Sequence, residues 1–222
     1  MKRIVVFDVC NTLINENTTA GFVSFYITQR GGWRKKCVLK AIRYRFSPLR
    51  ILLAILYRLG SSDYPKKILV RQLRGATKHE LESVAVQYVN SALDNLKIDT
   101  VWSLLENEKK RGSLILLASA SLSVVITALA KKIDAIPFSS ELLFSEGICA
   151  GSIGKDLSGR KFKVVSDYIA GPEKKWLVVY TDNVSDFSLL QKADEGYAVC
   201  TAKSNGLRAK FLPSKVKYVS AK

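Results

Sequence analysis

The sequence predicts a doubly wound α/β fold: a parallel, Rossmann-like sheet flanked by helices and interrupted by a helical insertion. Three observations carry this expectation. Short apolar runs recur at Arg3–Asp8 (RIVVFD), Leu114–Ala118 (LILLA), Trp176–Thr181 (WLVVYT) and, more weakly, Tyr197–Cys200 (YAVC). Their apolar residues are continuous and do not alternate, as strands covered on both faces require. Helical stretches separate or follow these runs, at Ser121–Lys132, Lys161–Ala170 and Val184–Lys192. Strands alternating with helices point to a parallel sheet. Finally, the long stretch between the first and second runs has a different character, rich in Arg, Lys and aromatic residues.

That stretch reads as helices over Thr19–Gln29, Trp33–Arg45, Pro48–Arg58, Pro65–Leu73 and Lys78–Asn95. Gly31-Gly32, Ser47-Pro48 and Gly60-Ser61-Ser62 punctuate them. So much helix exceeds a simple crossover, so residues 15–99 are expected to form a helical cap domain, with residues 1–14 and 100–222 as the core. A chain of 222 residues suits a core with a small cap.

Hydrophobic residues at 48% suffice for a buried core, which excludes wholesale disorder. Cys10, Cys37, Cys149 and Cys200 form no CxxC pair, which argues against a zinc site or a disulfide framework and fits a reducing cytoplasm. The run Ile4–Phe7 is too short for a signal-peptide core. Gly112–Ala130 carries no charge and is long enough to suggest a membrane span. It also holds Ser113, Ser119, Ser121, Ser123 and Thr127, costly on a lipid-facing helix, and so reads as a buried strand, a serine-rich turn and a helix.

Net charge is +16, from 35 Lys and Arg against 19 Asp and Glu. From Thr18 to His79 there are fourteen basic residues and a single acid, Asp63. Such a block suits nucleic acid, an anionic membrane or an acidic substrate, and charge alone does not choose among them.

Doubly wound sheets place their chemistry at the carboxyl ends of the strands. Four signals fall there: Asp8-Val9-Cys10-Asn11-Thr12 after the first run, Ser119 after the second, Lys161 or Lys163 at the start of a helix, and Asp182-Asn183-Val184-Ser185-Asp186 after WLVVYT. A strand-end carboxylate can attack phosphorus if the phosphate charge is neutralised. Asp8 and Asp182 supply oxygen ligands of the kind a hard cation such as Mg²⁺ takes. A hydroxyl at Ser119 and an ammonium suit the remaining phosphoryl oxygens.

Taken in order, these motifs resemble the haloacid dehalogenase superfamily of phosphatases. Ser119-Ala120-Ser121 and the helical insertion directly after the first motif resemble its phosphoserine-phosphatase-like branch. The resemblance implies a Mg²⁺-dependent phosphohydrolase with Asp8 as nucleophile, forming an aspartyl-phosphate. It implies that Thr12 sets the loop, that Ser119 binds the transferring phosphoryl group and that Asp182 ligates metal. It also implies that Asp186 supports the metal shell and orients the lysine. Lys161 is preferred to Lys163 because Phe162, Val165 and Ile169 then form an apolar helical stripe.

One departure stands out. The family's phosphatases usually carry an Asp two residues after the nucleophile, as general acid and base, and here that position is Cys10. The family pattern binds metal through this residue's backbone carbonyl, which a cysteine also supplies. A thiol of pKa about 8.5 is a poor replacement for the acid–base role, worth roughly 10²–10⁴-fold. Slow turnover or a good leaving group is therefore expected, and a catalytically weak phospho-ligand-binding or regulatory protein is the alternative. Asn11 replaces the usual glycine, a milder change because Asn tolerates unusual turns. Asp182 and Asp186 argue against a metal-free dehalogenase, and no cap lysine stands out as a phosphonatase's Schiff-base residue. His79, the only histidine, is not expected to be catalytic.

A cap in this superfamily selects substrate, so its chemistry bears on the ligand. Pro48–Leu59 is apolar, with Arg45, Arg50 and Arg58 beside or within it, and Trp33, Tyr44, Phe46 and Tyr57 add aromatic bulk. Basic residues beside apolar and aromatic ones describe an interfacial helix. The expected substrate is thus a phosphorylated small molecule or lipid head group. The protein is expected in the cytoplasm, in peripheral contact with an anionic membrane face through the basic cap. Nucleic acid is the less favoured partner, since no binding motif accompanies the charge.

Overall fold

The computed structural model describes residues 2–43, 64–200 and 216–220; the helix expected over Pro48–Arg58 lies outside them. In chain order the elements are β1 (Lys2–Phe7), α1 (Thr18–Arg30), α2 (Trp33–Arg43), α3 (Tyr64–Arg71), α4 (Lys78–Leu96) and α5 (Asp99–Lys110). There follow β2 (Leu114–Leu122), α6 (Ser123–Ile133), β3 (Ile136–Ser140), β4 (Leu142–Ser145) and β5 (Ile148–Ile153). The chain continues through α7 (Lys161–Ile169), β6 (Lys175–Thr181), α8 (Phe187–Lys192), β7 (Glu195–Cys200) and β8 (Val216–Ser220).

Six strands form one parallel sheet in the order β3-β2-β1-β6-β7-β8. The chain winds outward through β2 and β3 on one side and through β7 and β8 on the other. The direction reverses between β1 and β6, which makes that crevice the expected ligand site.

The continuous apolar runs have the physical basis anticipated for them. Successive side chains of a strand point to opposite faces, and here both faces are covered. Val5, Phe7, Leu117, Val178 and Tyr180 enter one hydrophobic cluster, while Ile4, Val6, Leu116, Leu177 and Val179 enter the other. The first cluster also takes in Phe22 and Ile27 of α1, Leu81 and Val89 of α4 and Leu129 of α6. The second is closed by Val165 of α7 and Leu189 and Leu190 of α8. Phe7, Tyr180 and Tyr197, register partners on three adjacent strands, stack at 4.6 and 4.4 Å with planes 5° and 7° apart.

Several elements depart from expectation. The strand expected to end at Ala118 runs to Leu122, so Ser119 and Ser121 sit in strand and not in a turn. The ladder to β3 shifts between Ala118 and Leu122, which admits the extra residues. Helix α5 was not anticipated, because its buried face carries Glu108 beside Val101 and Leu105, and an acid interrupts the apolar stripe. The β4–β5 hairpin is a further addition. It turns at Glu146-Gly147, both in the left-handed region (φ 49° and 77°), as a tight hairpin turn requires. Val184–Asp186 is a single 3₁₀ turn leading into α8. The uncharged stretch 112–130 is strand β2 followed by helix α6, and among the described residues no helix is long and apolar enough to cross a membrane.

The end of the sheet opposite the strands' carboxyl ends is tied by one arginine on β1. Arg3 donates to Glu108 at 2.8 and 3.0 Å and to Glu195 at 2.8 Å. Hydrogen bonds from Arg3, Trp176 and Tyr197 hold Glu195 down at about 2 against a smaller opposing effect of burial. For Glu108 burial pushes upward, and the bonds from Arg3 and Ser113 overcome it to leave a lowered pKa. Both carboxylates therefore contribute stability that is fully present above their unfolded values near pH 4.3 and is lost as pH falls through their lowered folded values, about 2 for Glu195. Replacing Arg3 with Met should cost about 2 kcal/mol at pH 7, since Arg111 and Ser113 still hold Glu108. Urea denaturation should show that loss, together with a shallower acid dependence below pH 4.

Candidate active site

β1 ends at the crevice, and Asp8 is the next residue. Its backbone N–H still donates to Tyr180 O at 2.9 Å, so the carboxylate is fixed relative to both central strands. The chain then turns sharply. Val9 O accepts from Leu13 N and Ile14 N, both at 3.0 Å, and Asn11 takes a left-handed conformation at φ 52°. Asn tolerates that region better than most residues. Val9, Leu13 and Ile14 are fully buried, which anchors the loop.

Asp8 Oδ1 accepts from Val9 N at 2.7 Å, and Oδ2 pairs with Lys161 Nζ at 2.8 Å. Lys161 opens α7, is itself buried, and donates to Asp186 Oδ2 at 2.7 Å. Thr181 Oγ1 donates to the same Asp186 oxygen at 2.8 Å. Thr12 joins the two acidic loops, accepting from Asp182 N at 3.0 Å and donating to Asp182 Oδ1 at 3.3 Å. Ser119 is buried at the end of β2, where its Oγ accepts from Ser121 N at 3.3 Å. Cys10 Sγ lies 3.1 Å from Thr18 Oγ1 and 3.9 Å from Ser119 Oγ.

Asp8, Cys10, Ser119, Lys161 and Asp182 thus face one cleft of about 570 Å³. Thr12 and Asp186 stand behind its wall, reaching it through Asp182 and Lys161. Lys163 is exposed, on a different face of α7. Three residues near the cleft carried no expectation as site residues. Thr18 donates to Ser121 Oγ at 2.7 Å, beside Thr19, and Lys66 of α3 reaches the cleft from the insertion. Thr18 and Ser121 are 103 positions apart, so no local spacing marks their contact.

The electrostatics follow from burying several charges together. Burial pushes the Asp8 carboxyl upward and Lys161 pulls it back. Burial disfavours the Lys161 cation, but Asp8 and Asp186 outweigh it and keep the ammonium protonated. Burial, and then the charge of Asp8, raises the Cys10 thiol, so it stays neutral. Asp182 is pushed up to about 7, first by burial and then by Asp8, with Lys161 and Thr12 opposing. Two carboxylates that repel across a cleft are a fitting pair of hard ligands for a divalent cation. Among the described residues no group of three or more His, Cys, Asp and Glu is placed to hold a metal. A cation here could take oxygens from Asp8 and Asp182, which line the cleft, with Asp186 behind them. The Cys10 carbonyl is the further protein oxygen that the family resemblance implies, and water or phosphate oxygens would complete the shell.

A buried Asp–Lys–Asp chain at the switch point of a parallel sheet stands where α/β proteins of this class hold their ligands. The family model of the haloacid dehalogenase-like hydrolases matches residues 5–191, and the chain belongs to that family. No curated protein matches it in sequence. Its fold is similar to that of a Bordetella pertussis Tohama I protein with unknown function, at TM-score 0.73 and 17% identity over 94% of this chain and 93% of that one. A phosphoserine phosphohydrolase-like protein from Francisella tularensis gives TM-score 0.59 and 19% identity over 97% and 96% of the two chains. A phosphoserine phosphatase in apo form gives 0.58 and 13% over 90% and 88%. At these identities the likeness is one of fold.

The two candidate lysines make opposite predictions for stability. Lys161→Met leaves two buried carboxylates without their cation and should cost about 3–5 kcal/mol in metal-free buffer. Lys163→Met should stay within about 0.5 kcal/mol of the parent. Equal losses in urea denaturation would remove Lys161 from its assigned place.

Proposed function

We propose that this protein is a Mg²⁺-dependent phosphatase that hydrolyses a phosphomonoester through an aspartyl-phosphate on Asp8. The observation that carries the reading is the position of Asp8, fixed on both sides by Val9 N and Lys161 on the wall of a cleft that Ser119 and Asp182 share. An Asp8 oxygen attacks phosphorus as the bond to the ester oxygen breaks, and the departing alkoxide takes a proton from solvent, which the water of the second step gives back. Water then attacks the same phosphorus, freeing inorganic phosphate and restoring Asp8. Ser119 and Lys161 meet the phosphoryl oxygens, with Asp186 holding Lys161 in position and Thr12 holding the two loops together. When bound, Mg²⁺ supplies positive charge where the phosphoryl group accumulates negative charge. Helices from the 15–99 insertion act in this reading as the cap over the cleft.

The weak point is the proton. The Cys10 thiol is turned toward Thr18 and Ser119 and raised by burial, a poor source of a proton for a departing alkoxide. The enzyme should therefore favour esters with good leaving groups. The same observation favours a second reading, a slow catalyst that serves as a phospho-ligand-binding or regulatory protein. Asp8→Asn should abolish Mg²⁺-dependent hydrolysis of an aryl phosphate, and Cys10→Asp should raise turnover on the order of 10²-fold. An unchanged rate in Cys10→Asp would contradict the missing-acid explanation. No hydrolysis by wild-type protein across a broad phosphoester panel, with tight binding of one member, would favour the second reading.

The substrate in this reading is lipid-linked or otherwise anionic, and the protein works in the cytoplasm against an anionic membrane face. Support comes from α2, WRKKCVLKAIR, which carries five basic residues and no acid and leaves Trp33 72% exposed with Arg34 over its ring. Each basic residue near an anionic surface is worth about 1 kcal/mol. Sedimentation with phosphatidylglycerol vesicles should carry the protein down at low salt and a Trp33→Ala, Lys36→Glu, Lys40→Glu variant much less. Equal sedimentation with neutral vesicles would contradict the electrostatic contact.

A further inference from the structure

Lys66 belongs to none of the strand-end motifs, yet it lines the same cleft. It sits in the first turn of α3, with its side chain 17% exposed. Its ammonium donates to Asp156 Oδ1 at 2.7 Å, Ser140 Oγ at 3.2 Å and Ser158 Oγ at 3.3 Å. Three protons thus meet three acceptors, the full capacity of a lysine. Asp156 Oδ1 also accepts from Ser158 N at 2.9 Å and Ser158 Oγ at 2.8 Å. Ser140 is fully buried at the end of β3, and its hydroxyl accepts from Leu157 N at 3.1 Å. The single Ser140 proton lies within reach of Ala120 O and Asp156 Oδ1, both at 2.9 Å.

Two parts of the site end at this cluster. Ala120 follows Ser119 directly. Asp156, Leu157 and Ser158 form the approach to Lys161, separated from it only by Gly159, in the left-handed region at φ 69°, and Arg160. A glycine in that conformation lets the chain turn but gives the loop no side chain to hold it in place. The approach is therefore held from outside, by Ser140 of β3 and Lys66 of α3.

We propose that Lys66 is a positioning residue, a brace from the helical insertion that fixes the 156–158 loop and the end of β2. Through them it sets the Lys161 ammonium and the Ser119 hydroxyl for the phosphoryl group. The inference rests on the phosphatase reading of Asp8, Ser119 and Lys161. It assigns the insertion a part in building the phosphate site, beyond covering it. A misplacement near 1 Å at a reacting centre costs on the order of 10²-fold in rate, so a brace of this kind acts on turnover and not on ground-state affinity.

The test compares Lys66→Met, Lys66→Arg, Asp156→Asn and the Lys66→Met, Asp156→Asn double variant in the full chain, with Mg²⁺ and an aryl phosphate. Lys66→Met should lower kcat by roughly 10- to 100-fold with KM within about twofold. Lys66→Arg should recover much of the loss. The double variant should be little worse than Lys66→Met, because both changes break one brace. Asp156→Asn keeps the lysine and the side-chain volume and gives the same reading should Lys66→Met fail to fold. An unchanged kcat in both single variants would overturn the proposal, as would additive losses. A rise in KM with kcat intact would also overturn it, since Lys66 would then hold substrate directly. Amide hydrogen exchange over residues 154–161 gives a readout free of catalysis. It should rise in Lys66→Met even if the wild-type protein hydrolyses nothing, and unchanged exchange there contradicts the brace whatever the activity.

Discussion

Lys161 lies between Asp8 and Asp186, at 2.8 and 2.7 Å, with all three side chains almost wholly out of water. Removing three charges from water costs several kcal/mol each unless they compensate one another, and here each partner of the lysine is further satisfied. Val9 N donates to Asp8, and Thr181 donates to Asp186. The arrangement is useful only because the sheet delivers these residues to one place. Asp8 follows β1, Asp186 follows the loop after β6, and β1 pairs with β6 over their full length. Reversal of winding between those two strands opens the crevice that Asp8 and the lysine face, with Asp186 behind them.

Much of this was legible because the central strands are covered on both faces, which leaves an unbroken apolar signature ending at a chemically active residue. The strand-end residues Asp8, Ser119 and Asp182 therefore stand out, as does Lys161 at a helix start, and all four face the cleft. Lys161 was separated from Lys163 by the helical period alone, since Val165 must face the core. Elements with one covered face or an edge position left weaker marks. Strand β8 is short and mostly exposed, VKYVS, and β3 contains a proline and two serines. Helix α5 escaped notice because a buried Glu108 paired with Arg3 occupies its inner face. Residues brought to the site by packing alone, such as Thr18 and Lys66, have no local pattern to announce them.

The neighbourhood of Asp8 differs from a usual phosphatase site in a way that the packing makes intelligible. Cys10, Thr18, Thr19, Ser119 and Ser121 form a set of small hydroxyl and thiol groups in mutual contact. Such a set has hydrogen-bonding capacity but no group that titrates near neutrality. It can orient a phosphoryl group and shape the floor of a cleft, but it offers little to a leaving group that needs a proton. With a leaving group that needs no proton, as from an aryl phosphate, the phosphoenzyme of the proposed mechanism forms more readily than it is resolved, because no base here assists the attacking water.

That imbalance gives the most direct test of Asp8. Wild-type protein mixed with Mg²⁺ and an aryl phosphate, quenched in acid within the first turnovers and digested, should yield a phosphoryl adduct on the peptide containing Asp8. Mass spectrometry would locate it, and hydroxylamine should remove it as an acyl phosphate. The adduct should be absent from Asp8→Asn and less abundant in Cys10→Asp, where water attack is assisted. Hydrolysis that proceeds with no adduct on Asp8, or with the adduct on another residue, would contradict the assignment of Asp8 as nucleophile.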